Sequence, residues 1–298
     1  MNAPIHHVKA STQYKREHKA DYGKEKIEVL YQDDDVAVIC KPTGLLSVPY
    51  PGSKSRTALE LVEKLTRKKA YTVHRLDRDT SGVMVFALTE SAQKKLMATW
   101  HKAVTERRYH AVAENPRDKK KQLPDEGIID DPLAQNAYHV GYVPHDENDR
   151  AKTVAAKTHY KILVCGKTHS LFELELDTGK KNQIRAHLAS KGYPLGGDEN
   201  YRAHTDPFHR LMLHARTLAF KHPATGKILR FEVPEPKEWE AYVRQGDENP
   251  LTPIWFNKVS HADGRGQKAP LPKEKIRLSA KQKSHMDFIS QGKFRSGR

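Results

Sequence analysis

Two cysteines in 298 residues are too few for a disulfide framework, and Cys40 and Cys165 lack the spacing of metal ligands. Both stand in apolar, strand-like runs, as small buried residues with reduced thiols do. No apolar run approaches the roughly 18 residues that a membrane helix needs, which argues against a membrane protein. The first residues, MNAPIHHVKASTQYKREHK, lack the apolar core of a secretory leader. Acidic residues are also scarce: 37 stand against 52 lysines and arginines, for a formal net charge of +15. The expectation from these absences is a cytoplasmic protein, away from membranes, with a basic surface.

Such a surface attracts polyanions, and nucleic acid is the commonest one. The bland alternative is a basic protein whose charge serves solubility alone. Apolar residues make up 37% of the chain, enough for a sizeable core, and the length suits one large domain with extensions.

Residues 1–26 are polar and basic without periodicity and read as a flexible arm. From Ile27 the pattern changes. EVLYQDDDVAVICKP reads as two strands around an acidic turn, closed by Pro42–Thr43–Gly44. TALELVEKLTRKK puts Ala58, Leu61, Val62 and Leu65 on one helical face, with Thr57 and Glu60 at capping-box spacing. VMVFALT is apolar on both faces, as in a covered central strand. SAQKKLMATWHKA reads as an amphipathic helix with Ser91 as its cap, and RYHAVAE as the next strand. Residues 115–150 are rich in Lys, Asp, Pro and Asn and read as an irregular insertion. THYKILVC and SLFELELDT form a strand pair, KNQIRAHLASKG a helix stopped by Gly192, and TLAFKHPATGKILRFEVP a hairpin. Residues 258–298 hold eleven Lys and Arg against three Asp and Glu, with few large apolar side chains, and read as a basic tail that is disordered alone. That leaves residues 27–257 as one α+β domain.

The densest chemistry lies in HRLDRDTSG, residues 74–82, set directly against the apolar strand. One reading is a metal site made of His74, Asp77 and Asp79. Arg75 and Arg78 would oppose a cation there, and no second cluster supports it. A second is a structural turn capped by an aspartate. A third is a catalytic carboxylate at the mouth of a sheet, flanked by arginines that hold a phosphate backbone.

HRLDRDTSGVMVFAL resembles the signature of the RluA-type pseudouridine synthase family: His-Arg-Leu-Asp, two variable residues, then Thr-Ser-Gly and an apolar strand. VAVICKPTGLLSVP, ERRYHAVAE, TGKKNQIRAHLASKGYPLGGDENY and LMLHARTLAFKHPATGKILRFEVPEP resemble further blocks of the family in the same order, over roughly residues 27–240. The resemblance implies one catalytic domain on a mixed, largely antiparallel sheet with flanking helices and loops, and an active site in a central cleft. It implies an isomerase that converts a uridine of structured rRNA or tRNA to pseudouridine, with no cofactor and no metal. The partner expected is RNA, not DNA or membrane, and the protein is expected to act as a monomer.

Residue by residue, the family's essential aspartate corresponds to Asp77, and its arginine partner to Arg185 of Gln-Ile-Arg. Tyr109 matches its strand tyrosine, with a ring that can stack on uracil. A stacked uridine is out of reach, so it must be flipped, and Arg75 is the candidate to fill the vacancy. Arg78 reads as a phosphate contact or an exposed residue. His74 either touches the RNA backbone or orders the loop. Whether Asp77 acts as nucleophile, base or electrostatic stabiliser stays open. One departure stands out: Lys181–Asn182 replaces the family's usual Thr-His before Gln-Ile-Arg, which puts local contacts of that loop in doubt. Many members also carry an S4-type RNA-binding module, for which residues 1–26 are too short. The alternative from another class is a basic RNA-binding protein that has lost isomerase activity.

Overall fold

The computed structural model describes residues 5–7, 27–50, 55–137, 139–144 and 151–247. The basic tail, and the arm apart from Ile5–His7, lie outside these residues. In chain order the first elements are β1 (Ile5–His7), β2 (Glu28–Gln32), β3 (Val36–Lys41), α1 (Ala58–Thr66), β4 (Tyr71–Thr72), β5 (Ser81–Ala87), α2 (Glu90–Ala103) and β6 (Val104–Glu114). Then come β7 (Glu126–Ile129), β8 (Ala134–Gln135), β9 (Gly141–Tyr142), β10 (Thr158–Cys165), β11 (His169–Leu176) and α3 (Gln183–Ser190). The last are β12 (Leu213–Lys221), β13 (Ile228–Glu232) and α4 (Glu238–Gln245).

Eleven strands form one mixed, largely antiparallel sheet whose main path runs β2-β3-β5-β12-β6-β11-β10-β7. This is the α+β architecture expected. Strand β5 is buried at all seven positions, which is why its sequence shows no alternation. Met84 and Phe86 join the core of one face with Ile39, and Val83 and Val85 join the other with Val36 and Val38. Helices α1 (Ala58, Val62) and α3 (Ile184, Leu188) cover the first face. Helix α2 (Leu96) covers the second, where Trp239 and Val243 of α4 pack on Val112 of β6.

The centre of the sheet is a joint. Strand β12 lies between β5, which it meets in parallel through only His214–Ser81 and Ala215–Gly82, and β6, which runs antiparallel to it. Gly82 makes the parallel contact possible. Its φ is +116°, and a Cβ there would stand 2.2 Å from the carbonyl oxygen of Ala215. The two half-sheets thus meet at the point where residues 74–80 lead into β5.

Five expectations need correction. Cys165, expected to be buried, is exposed at the end of β10, and Cys40 is only partly buried. Residues 115–150 are not wholly irregular: β7 pairs with β10 at the sheet edge, and β8 pairs with β9. Helix α2 is capped by Thr89, whose hydroxyl accepts the N–H of Ala92 at 3.1 Å, and not by Ser91. In α1 the capping box forms as expected, but Leu65 is exposed and Thr66 takes the buried place. Ile5–His7 of the expected arm runs parallel to β13. Among the described residues no helix is long and apolar enough to cross a membrane.

Candidate active site

The loop that carries Asp77 is clamped from below by the turn after β3. Lys41, fully buried, donates from Nζ to the carbonyls of Pro42 (3.0 Å), Leu45 (2.7 Å) and Arg78 (2.9 Å). Burial pulls its pKa down to about 7, although the Asp79 and Asp77 carboxylates push the other way. Thr43 Oγ1 donates to the carbonyl of Asp79 at 2.6 Å, and Ser47 Oγ donates to that of Leu76 at 2.6 Å. The Leu76 N–H returns a bond to Ser47 Oγ at 3.2 Å. Lys41 and Thr43 thus fix the backbone after Asp77, and Ser47 fixes it before.

His74 and Ser81 anchor the two ends of the loop. The His74 ring stacks on Trp100 with centroids 4.9 Å apart, and its Nε2 accepts the Val85 N–H at 3.1 Å. Burial, helped by the charge of Arg107, drops its pKa to about 3, so the ring is neutral. His214 donates from Nε2 to the Val233 carbonyl at 2.9 Å, which leaves its Nδ1 to accept from Ser81 Oγ at 2.8 Å. Arg210 donates to the same Ser81 oxygen at 2.5 Å.

Asp77 itself is half-buried, with its side chain 30% exposed. Its Oδ2 accepts from Asn182 Nδ2 at 2.7 Å and from Arg185 Nη1 at 3.4 Å. Its Oδ1 takes no hydrogen bond among the described residues. Asn182 precedes α3 with φ of 56° and does not cap the helix with its side chain. An asparagine tolerates this left-handed conformation, and here the turn aims its amide at Asp77. The Lys-Asn departure thus supplies a neutral donor to the carboxylate.

Arg185 has a second and tighter partner. Its Nε and Nη2 donate to Asp198 Oδ2 and Oδ1 at 2.7 and 2.8 Å, in the two-pronged geometry that guanidinium and carboxylate favour. Its guanidinium also lies over the Tyr201 ring, 5.0 Å from the centroid. Burial works against the charge, but the bonds and charge of Asp198 outweigh it and hold the pKa above the ordinary value. Asp198 fixes the plane of the fork, and only the remaining Nη1 reaches Asp77. The Tyr201 hydroxyl donates to the Gly141 carbonyl at 2.5 Å, which ties this support to β9.

Asp77, Arg185, Tyr109 and Arg75 line one pocket, with Asn182, Arg107 and Leu213 among its other walls. Tyr109 is 6% exposed on β6, between Leu174 of β11 and Ala215 of β12. Arg107, two residues earlier on the same face, donates to the Thr178 carbonyl at 3.3 Å, while its buried Nε takes no partner among the described residues. The pocket adjoins a cleft of about 720 Å³ and shares Arg75, Asp77 and Arg107 with it. Arg75 is exposed there. Arg78, also exposed, donates from Nε to the Gly44 carbonyl at 3.1 Å and so helps hold the clamp. Of the six residues singled out from sequence, four line the pocket, while His74 and Arg78 make contacts that order the loop.

Sequence reasoning missed Lys41, Asp198 and Tyr201 as parts of this arrangement, and marked Asn182 only as a departure from the family's pattern. Gly197–Asp198 reads as a turn, and a lysine closing a strand reads as exposed. A carboxylate with one tethered oxygen, beside cations and an aromatic wall, can stabilise positive charge, act as a base or attack an electrophile.

A model of the RNA pseudouridylate synthase family matches residues 35–190. The RNA pseudouridine synthase YhcT of Bacillus subtilis is 32% identical over 231 residues, which cover 75% of this chain and 73% of that protein. The ribosomal large subunit pseudouridine synthase D of Haemophilus influenzae is also 32% identical, over 72% of this chain and 68% of its own length. The solved structure of human RNA pseudouridylate synthase domain containing 4 shares the fold, with a TM-score of 0.57 and 24% identity over 72% of this chain and 90% of its own. With the family's signature blocks gathered around one pocket, and relatives of this similarity over most of their lengths, the chain belongs to the RNA pseudouridine synthase family, a family of isomerases.

Proposed function

We propose that this protein isomerises a uridine of structured rRNA or tRNA to pseudouridine, with Asp77 carrying the chemistry. The observation that supports this most directly is the Asp77 carboxylate, held at Oδ2 by Asn182 and Arg185 and unbonded at Oδ1. Breaking the glycosidic bond leaves positive character on the ribose and negative character on the uracil. The carboxylate can stabilise the first, trap it or take a proton from C2′. The detached base turns and rejoins through C5. Because it stays in the pocket, the reaction needs no cofactor.

The half-buried pocket cannot reach a uridine within a helical stack, so the nucleotide is flipped. Arg75, exposed at the pocket rim, fills the vacancy with its planar guanidinium. Tyr109 stacks on the uracil. Arg107 sits beside Tyr109, its guanidinium 5.9 Å from the ring centroid, and adds positive charge where the uracil becomes anionic. His74, neutral and turned inward, orders the loop. The protein works as a monomer in the cytoplasm, where its substrates are.

The test is turnover of RNA labelled with tritium at C5 of uridine, in the presence of a chelator. Wild-type protein releases tritium and forms pseudouridine. Asp77→Asn abolishes release while binding of the same RNA persists. Equal turnover by that variant refutes the role of Asp77, and RNA cleavage that stops in chelator would indicate a nuclease.

A further inference from the structure

The outer cleft extends beyond the inner pocket that Asp77, Tyr109 and Arg185 line. Its walls come from residues 46–50, 73–78, Trp100–His101, Arg107 and 178–181. Among the described residues, five that line it are lysines or arginines and Asp77 is the one carboxylate, so it attracts an anion. Tyr50, on this wall, is 57% exposed. A core role does not explain an aromatic side chain so open to solvent. Exposed aromatic rings beside cationic grooves are how proteins seat unpaired nucleotides, because every base has a face to stack. The cleft also shares Arg75, Leu76, Asp77, Arg107, Gly179 and Lys180 with the inner pocket, so its occupant adjoins the reacting nucleotide.

We propose that this cleft is a second nucleotide subsite. It takes an unpaired neighbour of the target uridine in the same RNA strand, with its base stacked on Tyr50 and its phosphates against Arg75, Lys180 and Lys181. The inference rests on the reading of the inner pocket as the uridine site. It implies that the enzyme selects targets by the unpaired state of a flanking nucleotide as well as by the uridine.

The experiment compares full-length wild type, Tyr50→Phe and Tyr50→Ala. One readout is affinity for a fluorescein-labelled 12-mer oligouridylate, by anisotropy. The other is pseudouridine formed on unmodified rRNA and tRNA transcripts. Stacking predicts that Tyr50→Ala binds the oligonucleotide roughly 5- to 100-fold more weakly, while Tyr50→Phe stays within twofold of wild type. Tyr50→Ala within twofold of wild type overturns the subsite. So does Tyr50→Phe falling as far as Tyr50→Ala, because a hydroxyl contact and not stacking would then be at work. Failure of wild type to bind the oligonucleotide overturns it too. If the expected binding pattern holds while no transcript gains pseudouridine, the subsite stands and the isomerase reading fails. If pseudouridine forms and Tyr50→Ala binds normally, only the subsite fails.

Discussion

Replacing Asp198 by asparagine tests whether Arg185 must be aimed as well as present. In the native site Asp198 takes two of the guanidinium's donors at 2.7 and 2.8 Å, and its side chain is 1% exposed. Asparagine keeps the shape but offers one acceptor oxygen and turns an amide N–H₂ toward a guanidinium N–H. One charge-assisted bond is worth about 1.5–3 kcal/mol, and breaking a buried pair about 3–5 kcal/mol. A loss of about 3 kcal/mol leaves a domain of ordinary stability folded, with a melting temperature lower by about 6–12 °C. The catalytic effect is separate. The Nη1–Asp77 contact is already long at 3.4 Å, and a drift of about 1 Å in a positioned group can cost about 100-fold in rate. We therefore expect kcat to fall about 100-fold while affinity for RNA is unchanged, because Asp198 lines neither the pocket nor the cleft. Single-turnover pseudouridine formation and RNA-binding titration on the same preparation separate the two. If kcat stays within threefold of wild type in a protein that melts lower, the orientation of Arg185 does not matter to the reaction. If affinity falls in parallel with rate, general loosening is the explanation instead.

Asn182→Gly removes the 2.7 Å bond to Asp77 without straining a residue at φ of 56°, and should lower kcat about tenfold in the tritium-release assay; an unchanged kcat would show the contact to be incidental. Lys41 carries a pH signature. Its pKa falls from 10.5 in the unfolded chain to about 7 in the native protein, so the native state loses stability as pH drops through that window and is most favoured above it. Urea unfolding should therefore show wild type gaining about 2 kcal/mol on Lys41→Met between pH 7 and pH 9, and a constant difference would contradict the burial argument. Removing residues 258–298 should weaken RNA binding and flatten its salt dependence, measured as the slope of log affinity against log salt; equal slopes would make that basic stretch a spectator.

What could be read from sequence was local or carried by a motif. The buried character of β5, the capping box of Thr57 and Glu60, and the approach of Arg185 to Asp77 across the fold all left marks in short stretches of chain. Asp198 left none. Gly-Gly-Asp-Glu-Asn has the composition of a surface turn, and the carboxylate becomes buried only because α3 and the following loop fold back on each other. Lys41 was hidden for a different reason. Lysine is almost never fully buried, so nothing in Ile-Cys-Lys-Pro suggests that three carbonyls will surround its ammonium. Asn182 stands out in the sequence as a departure, but spacing does not show what its amide reaches. Strand β7 is only four residues long with one buried position, so it carries little periodic signal.

Inserting β12 between β5 and β6 has a consequence for how the protein is made. During synthesis the first half-sheet and the second emerge in turn, each with an unpaired edge, and neither can close until Leu213–Lys221 leaves the ribosome. Nascent chains stalled before that point should be dormant, sticky and dependent on chaperones. Activity would then appear abruptly as the last hairpin is translated, not build up gradually with length.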